Sequence, residues 1–175
     1  SDDTATPPAY QPLYFSFSTG DMTTRGIPET TLSKSVGMAA YVFENGDALG
    51  TPGYMWNEEV IRSGTGWCTT NGYAKPETGK SMKFLAYYPY SEQSGNPSIL
   101  LSDHATSGPV VITYEVPQDV ADQQDVMTGE SAVLSTSDRN DLVQMTLHHR
   151  LSAIQFVTGD IGLSGKIKSI SLKNI

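Results

Sequence analysis

Ser81-Met82-Lys83-Phe84-Leu85-Ala86-Tyr87-Tyr88-Pro89-Tyr90 is the clearest strand in the chain. Pro89, which cannot donate to a ladder, closes it. On its N-terminal side, Val36 to Phe43 alternates Val36, Met38, Ala40 and Val42 against Gly37, Ala39, Tyr41 and Phe43. Both sets are largely apolar, which predicts a central strand. Earlier still, Leu13, Phe15 and Phe17 fall on one face of a strand whose other face is Tyr14, Ser16 and Ser18. On the C-terminal side, Val110 to Val116 alternates and ends at Pro117, and Leu142 to Leu151 puts Val143, Met145, Leu147, His149 and Leu151 on one face. At Ile154 and Phe156 the apolar phase moves to even positions, which implies a bulge near Ser152-Ala153 or a strand break.

Between these segments lie turn signals: Asn45-Gly46-Asp47, and Asn71-Gly72 within a run of short strands and loops over 49–80. Asp119 to Glu130 is acidic and suits one helical turn. No stretch carries apolar residues at helical spacing for several turns. About seven strands with turns between them predict an all-β sandwich with long loops. The longest, Thr19 to Ser35, contains Gly20, Arg25, Gly26 and Pro28. Loops of that length in compact domains are often functional. Residues 1–11 are polar, small and Pro-containing, as in a flexible tether, so the expected domain is 12–175. Lys166 to Ile175 alternates and stops in mid-pattern, so a further domain is expected beyond it.

The 175 residues carry 17% charged side chains and a net charge of -8. Nucleic-acid binding needs clustered Lys and Arg, and the eleven basic residues here are scattered. Cys68 is the only cysteine, so no disulfide forms within the chain, a usage found in the cytoplasm and in many exported bacterial proteins. No apolar run is long enough to cross a membrane as a helix.

Catalytic and metal readings are weak. Gly79-Lys80-Ser81 lacks the earlier phosphate-loop glycine, since Ala74 stands there, and a strand rather than a helix follows. His148 and His149 point to opposite faces of one strand and cannot share a metal. His149 falls in the apolar register, and His104 lies beside Asp103 in a loop. Asp119, Asp122 and Asp125 lack the order of a calcium loop, and no nucleophile has a supporting motif. No catalytic residue, metal site or cofactor is expected. The aromatic residues Tyr54, Trp56, Trp67 and Tyr73, in Gly-rich loops, are the candidates for stacking on sugar rings.

Several segments, in order from about residue 25 onward, resemble the N-terminal domain of the Bacteroidota fimbrillin family, the subunits and accessory proteins of the type V pilus. Leu147-His148-His149-Arg150-Leu151-Ser152-Ala153-Ile154-Gln155-Phe156 resembles the family's His-x-Leu-small-small-Ile pattern, with Leu147 where phenylalanine is commoner. Ile167 to Ile175 resembles the strand that follows. Phe84-Leu85-Ala86-Tyr87-Tyr88-Pro89-Tyr90 resembles an F-x-A-Y-x-P-Y strand, and Val36 to Tyr41 an early G-hydrophobic-x-A-Y strand. Gln124-Asp125-Val126-Met127 resembles a Q-x-D-hydrophobic-Met element, one residue short unless Gln123 is taken. The resemblance implies a transthyretin-like β-sandwich, export as a lipoprotein to the outer membrane and cell surface, and other fimbrial subunits as partners, with surface receptors or glycans besides. It also implies cleavage by an arginine-specific protease after the first strand, a position matched by Arg25. The strand bearing Leu13, Phe15 and Phe17 would then be replaced by one from another subunit. The alternative is a monomeric surface lipoprotein that binds glycans through Tyr54, Trp56, Trp67 and Tyr73.

Overall fold

The computed structural model describes residues 10–20, 31–137 and 142–151. Its elements are β1 (Tyr10–Gln11), β2 (Tyr14–Thr19), β3 (Val36–Phe43), β4 (Met55–Ser63), β5 (Gly66–Thr69), β6 (Tyr73–Ala74), β7 (Ser81–Tyr88), β8 (Ile99–Leu101), β9 (Ile112–Tyr114), a 3-10 turn (Val120–Asp122), β10 (Met127–Glu130), β11 (Leu134–Ser135) and β12 (Leu142–His149).

The main sheet runs β10-β12-β2-β5-β4-β3-β7-β11, and β10 also pairs with β7. Seven strands therefore close into a barrel-like ring, with β11 continuing the β7 edge beyond β10. The all-β class is the one predicted. The expected sandwich takes the form of one ring of ladders in place of two separate sheets. The closure is non-local: β2 lies parallel to β12, with Leu142↔Tyr14 through Leu147↔Thr19 in register. Ring closure leaves fewer open edges than two stacked sheets would.

The inside of the ring is the main core. Val36, Met38 and Ala40 of β3 meet Met82, Phe84, Ala86 and Tyr88 of β7, with Phe15, Val60, Trp67, Met127, Val143, Met145 and Leu147 around them. The opposite face of β3 and β7 is also covered. Residues 89–126 fold back over it and carry β8 and β9, and Ile99, Leu101 and Val126 cluster on Tyr87. Tyr41 pins this flap, its hydroxyl donating to the Gly108 carbonyl and accepting from the Val110 N–H, both at 2.9 Å. Strands buried on both faces read as continuous apolar runs, which is why β3 and β7 do. Gly37 is required where Tyr87 crosses β3, because a Cβ there would lie 2.0 Å from the Tyr87 ring.

Two expectations change in detail. The strand expected over Val110–Val116 is shorter, Ile112–Tyr114, and pairs with β8. Within 49–80 the chain forms one long strand, β4, rather than short ones only. Its register shifts between Met38 and Ala40 of β3, and Asn57 has a φ of 48°. Asn is the side chain that best tolerates that left-handed conformation after Gly. The extra residue puts Met55, Glu58 and Val60 inside together. The acidic stretch does form a single turn, with the Asp119 carboxylate accepting from the Ala121 N–H at 3.0 Å. The phase slip at Ser152 and the strand expected over 166–175 lie outside the described residues.

Candidate functional site

The first strand of the ring is the one that the family resemblance marks for exchange. β2 sits between β12, parallel to it, and β5, antiparallel to it through Tyr14↔Cys68 and Phe15↔Trp67. Its alternation places Leu13 and Phe15 inside, both essentially inaccessible to solvent. Phe15 meets Phe84 edge to face at 5.4 Å and stacks along Phe17 at 5.9 Å. Phe17 is partly buried and packs its edge on Trp67 at 5.6 Å. At the N-terminal end, Leu13 and Thr69 exchange two bonds: the Leu13 N–H donates to Thr69 Oγ1 and the Thr69 N–H to the Leu13 carbonyl, each at 3.0 Å. At the other end the Gly20 N–H donates to the Leu147 carbonyl at 2.7 Å. A short preceding strand, β1, lies within the stretch read as a tether and pairs with β6.

Arg25 lies outside the described residues. The chain is anchored on both sides of 21–30: Gly20 on β12, and Leu32 in the core, followed by Ser33 and Lys34, whose N–H groups donate to the Tyr88 hydroxyl at 3.3 Å.

Of the four aromatic residues singled out for sugar stacking, three converge. Tyr54, Trp56 and Tyr73 line one open concavity of about 530 Å³ with Pro52 and His104. Trp67 is elsewhere, buried against Phe17 with the Arg62 guanidinium 4.9 Å from its ring centre. Beneath the concavity is a residue that periodicity missed, Glu58. Its carboxylate is buried and accepts from the Tyr73 hydroxyl (2.7 Å), Thr70 Oγ1 (3.1 Å), the Asn71 N–H (3.1 Å) and Asn71 Nδ2 (3.2 Å). A buried carboxylate without a cation is tolerable only when its lone pairs are filled in this way. Burial, and then the bond to Glu58, push the Tyr73 phenol well above its ordinary range, so it stays a donor.

The motif segments near the end of the described chain meet in space. Met127 pairs with His149, and His149 Nδ1 lies 2.7 Å from Asp125 Oδ1. The Arg150 N–H donates to the Val126 carbonyl at 2.9 Å. His149 is thus engaged by a carboxylate at the rim of the ring. Asp119 caps its turn and Asp125 holds His149, so the spaced aspartates serve separate contacts. Among the described residues no group of three or more His, Cys, Asp or Glu is placed to hold a metal ion. A second concavity, about 800 Å³, separates β9 from the outer faces of β7, β10 and β12.

The described residues form an all-β domain built on one closed ring of strands. A family model described as Fimbrillin-like matches residues 24–174, and the chain belongs to that family. Membership identifies a structural rather than an enzymatic protein. The fold is similar to the crystal structure of a fimbrial protein from Bacteroides vulgatus ATCC 8482, at a TM-score of 0.60 and 23% identity. The match covers 78% of this chain and 45% of that one, so the chain spans less than half of its structural relative. No curated protein matches the sequence significantly.

Proposed function

We propose that this chain is part of a structural or adhesive subunit of a surface fimbria of the type V class, assembled by β-strand donation. The observation that carries the reading is the position of β2. It is the strand nearest the N-terminus in the ring, yet it lies between two partners, β5 and β12. Its loss would open two strand edges at once and uncover apolar surface worth roughly 1.5–3 kcal/mol for each of Leu13, Phe15 and Phe17. A strand from another subunit would restore both the ladders and the burial. Cleavage after Arg25 would sever β2 from the rest of the ring. The family match begins at residue 24, beside that arginine and after β2.

The transthyretin-like sandwich belongs to the same proposal: a ring pressed flat has two packed faces, and losing one strand leaves it open rather than unfolded. So do export as a lipoprotein precursor and anchorage at the outer membrane. The competing reading is a monomeric surface lipoprotein that binds glycans through its aromatic loops, favoured by the convergence of Tyr54, Trp56 and Tyr73. Brief digestion of the full-length precursor with an arginine-specific protease separates the two. A cut after Arg25 followed by denaturant-resistant ladders is expected, and Arg25→Ala should stay whole, folded and monomeric. Unaltered polymerisation of Arg25→Ala would remove the processing claim, and a wild-type chain that stays whole and monomeric would favour the competing reading.

A further inference from the structure

We infer that the concavity walled by Tyr54, Trp56, Tyr73 and His104 binds the face of a neutral hexose within a larger glycan. The rings are fixed before any ligand arrives. Trp56 Nε1 donates to the Ser102 carbonyl at 3.1 Å, the Tyr54 hydroxyl to the Ala74 carbonyl at 2.5 Å, and the Tyr73 hydroxyl to Glu58 at 2.7 Å. They stand at angles rather than in one plane: Tyr54 and Tyr73 are tilted by 49° at 5.5 Å, and Trp56 and His104 by 63° at 5.8 Å. Half-buried aromatic rings held at such angles form a dry-walled cleft whose rim is open, and preorganisation spares the ligand the cost of ordering them.

The chemistry of the lining selects the class of ligand. The half-buried faces of Tyr54, Trp56 and Tyr73 offer surface to the C–H face of a sugar, while the Thr51 hydroxyl and the His104 imidazole offer hydrogen bonds to its hydroxyls. Among the described residues no lysine, arginine, aspartate or glutamate lines the concavity. A sialylated or sulfated glycan would find no cation there, on a chain whose net charge is -8. Of the two carboxylates beside the wall, Asp103 is exposed at the rim 3.5 Å from His104 Nδ1, and Glu58 is buried and already filled by its donors. None of the three bonds that fix the rings comes from residues 10–20. Tyr73 lies on β6, which pairs with β1 through Gln11↔Tyr73, so after release of the N-terminal strands Trp56 and His104 are the part of the wall that does not depend on that pairing.

The test is titration of the 175-residue chain with mannohexaose, cellohexaose and xylohexaose, with sialyllactose as the anionic comparison. Binding is followed by tryptophan fluorescence and by protection of Trp56 from N-bromosuccinimide. A saturable signal with at least one neutral oligosaccharide is expected, with Trp56 protected. Trp56→Ala should weaken it about tenfold or more, a loss of about 1.4 kcal/mol. Trp56 also packs against the flap, so His104→Ala is the companion variant: the His104 side chain is 69% exposed, and its removal should weaken binding with the thermal midpoint unchanged. Absence of a saturable signal with all three neutral oligosaccharides would overturn the inference. Binding of sialyllactose alone, or binding that both variants leave intact, would do the same.

Discussion

The two sides of the ring are held in different ways. On one side β3 and β7 pair antiparallel without a break from Gly37↔Tyr87 to Phe43↔Ser81, and both faces of the pair are covered, by the core inside and by the flap outside. On the other side β2 is bound to β12 by a parallel ladder and to β5 through Tyr14↔Cys68 and Phe15↔Trp67, with the Leu13–Thr69 bonds just before them. Parallel pairs are slightly weaker per residue than antiparallel ones, and the outward residues Tyr14, Ser16 and Ser18 have relatively little covering them. In the proposed assembly the β3–β7 seam would persist and the β2 seam would part. Elements that detach are drawn from the less stable end of a structure, and the proposed exchange of β2 would need it to lie there despite its buried phenylalanine.

The largest effect that probes the contrast lies where the two sides touch. Phe15 and Phe84 meet edge to face, so Phe15→Ala and Phe84→Ala should each cost about 3–5 kcal/mol in urea denaturation. They should differ in rescue. If the chain is cut at a protease site introduced between Gly20 and Thr31, a synthetic peptide of residues 10–20 should restore the midpoint in a concentration-dependent way, as for any ligand of the native state. The wild-type peptide should rescue a cut chain that carried Phe15→Ala, and should not rescue one carrying Phe84→Ala to the same level. A midpoint indifferent to peptide concentration would break the comparison, because β2 would then not be a separable element.

A second probe sharpens the permanent side. The Tyr87 ring fills the space left by Gly37, and its hydroxyl donates to Asn57 Oδ1 and accepts from the Ser91 N–H at 3.1 Å. Burial pushes its phenol above the ordinary tyrosine value of 10.0. The folded state therefore holds this proton more tightly than the unfolded state, and its contribution is complete below about pH 10 and lost as pH rises further. Stability should fall above pH 10 by up to about 1.4 kcal/mol per pH unit for this group. Tyr87→Phe should flatten that slope while lowering the midpoint at neutral pH, since Asn57 and Ser91 lose a partner. An identical alkaline slope in wild type and variant would show that Tyr87 is not the group responsible.

The same contrast explains what the sequence could and could not tell. β3 and β7 were legible because burial on both faces leaves a continuous apolar run bounded by turn and proline signals. β12 was legible from Val143, Met145 and Leu147 at period two. β4 was not, because the bulge at Asn57 breaks the alternation, so Glu58 appears at an outward position and turns inward. The parallel pairing of β2 with β12 joins residues more than a hundred apart, and no local pattern encodes it. β8 has three residues and escaped notice for its length. At the candidate sites, sequence alone marked the aromatic residues. It had no means to separate Trp67, buried by the partner strand β2, from Trp56, left on a rim.

The smallest effect tests the contrast most directly, because it deletes the same atom on each side. Ser18 Oγ and Thr146 Oγ1 lie 3.1 Å apart on the exposed face of the β2–β12 ladder. Ser131 Oγ is buried, accepts from the Phe84 N–H at 3.0 Å and donates to the Ala132 carbonyl at 2.7 Å. Water can replace the first bond and cannot reach the second. Ser131→Ala should therefore cost about 1–3 kcal/mol by leaving the Phe84 N–H unfilled, and Ser18→Ala about 0.5 kcal/mol or less. In the cut chain, Ser18→Ala placed in the peptide should barely change the peptide's affinity. Equal losses for the two serines would mean that the β2 seam excludes water as fully as the β7 side does, and the picture of a separable seam would have to be given up.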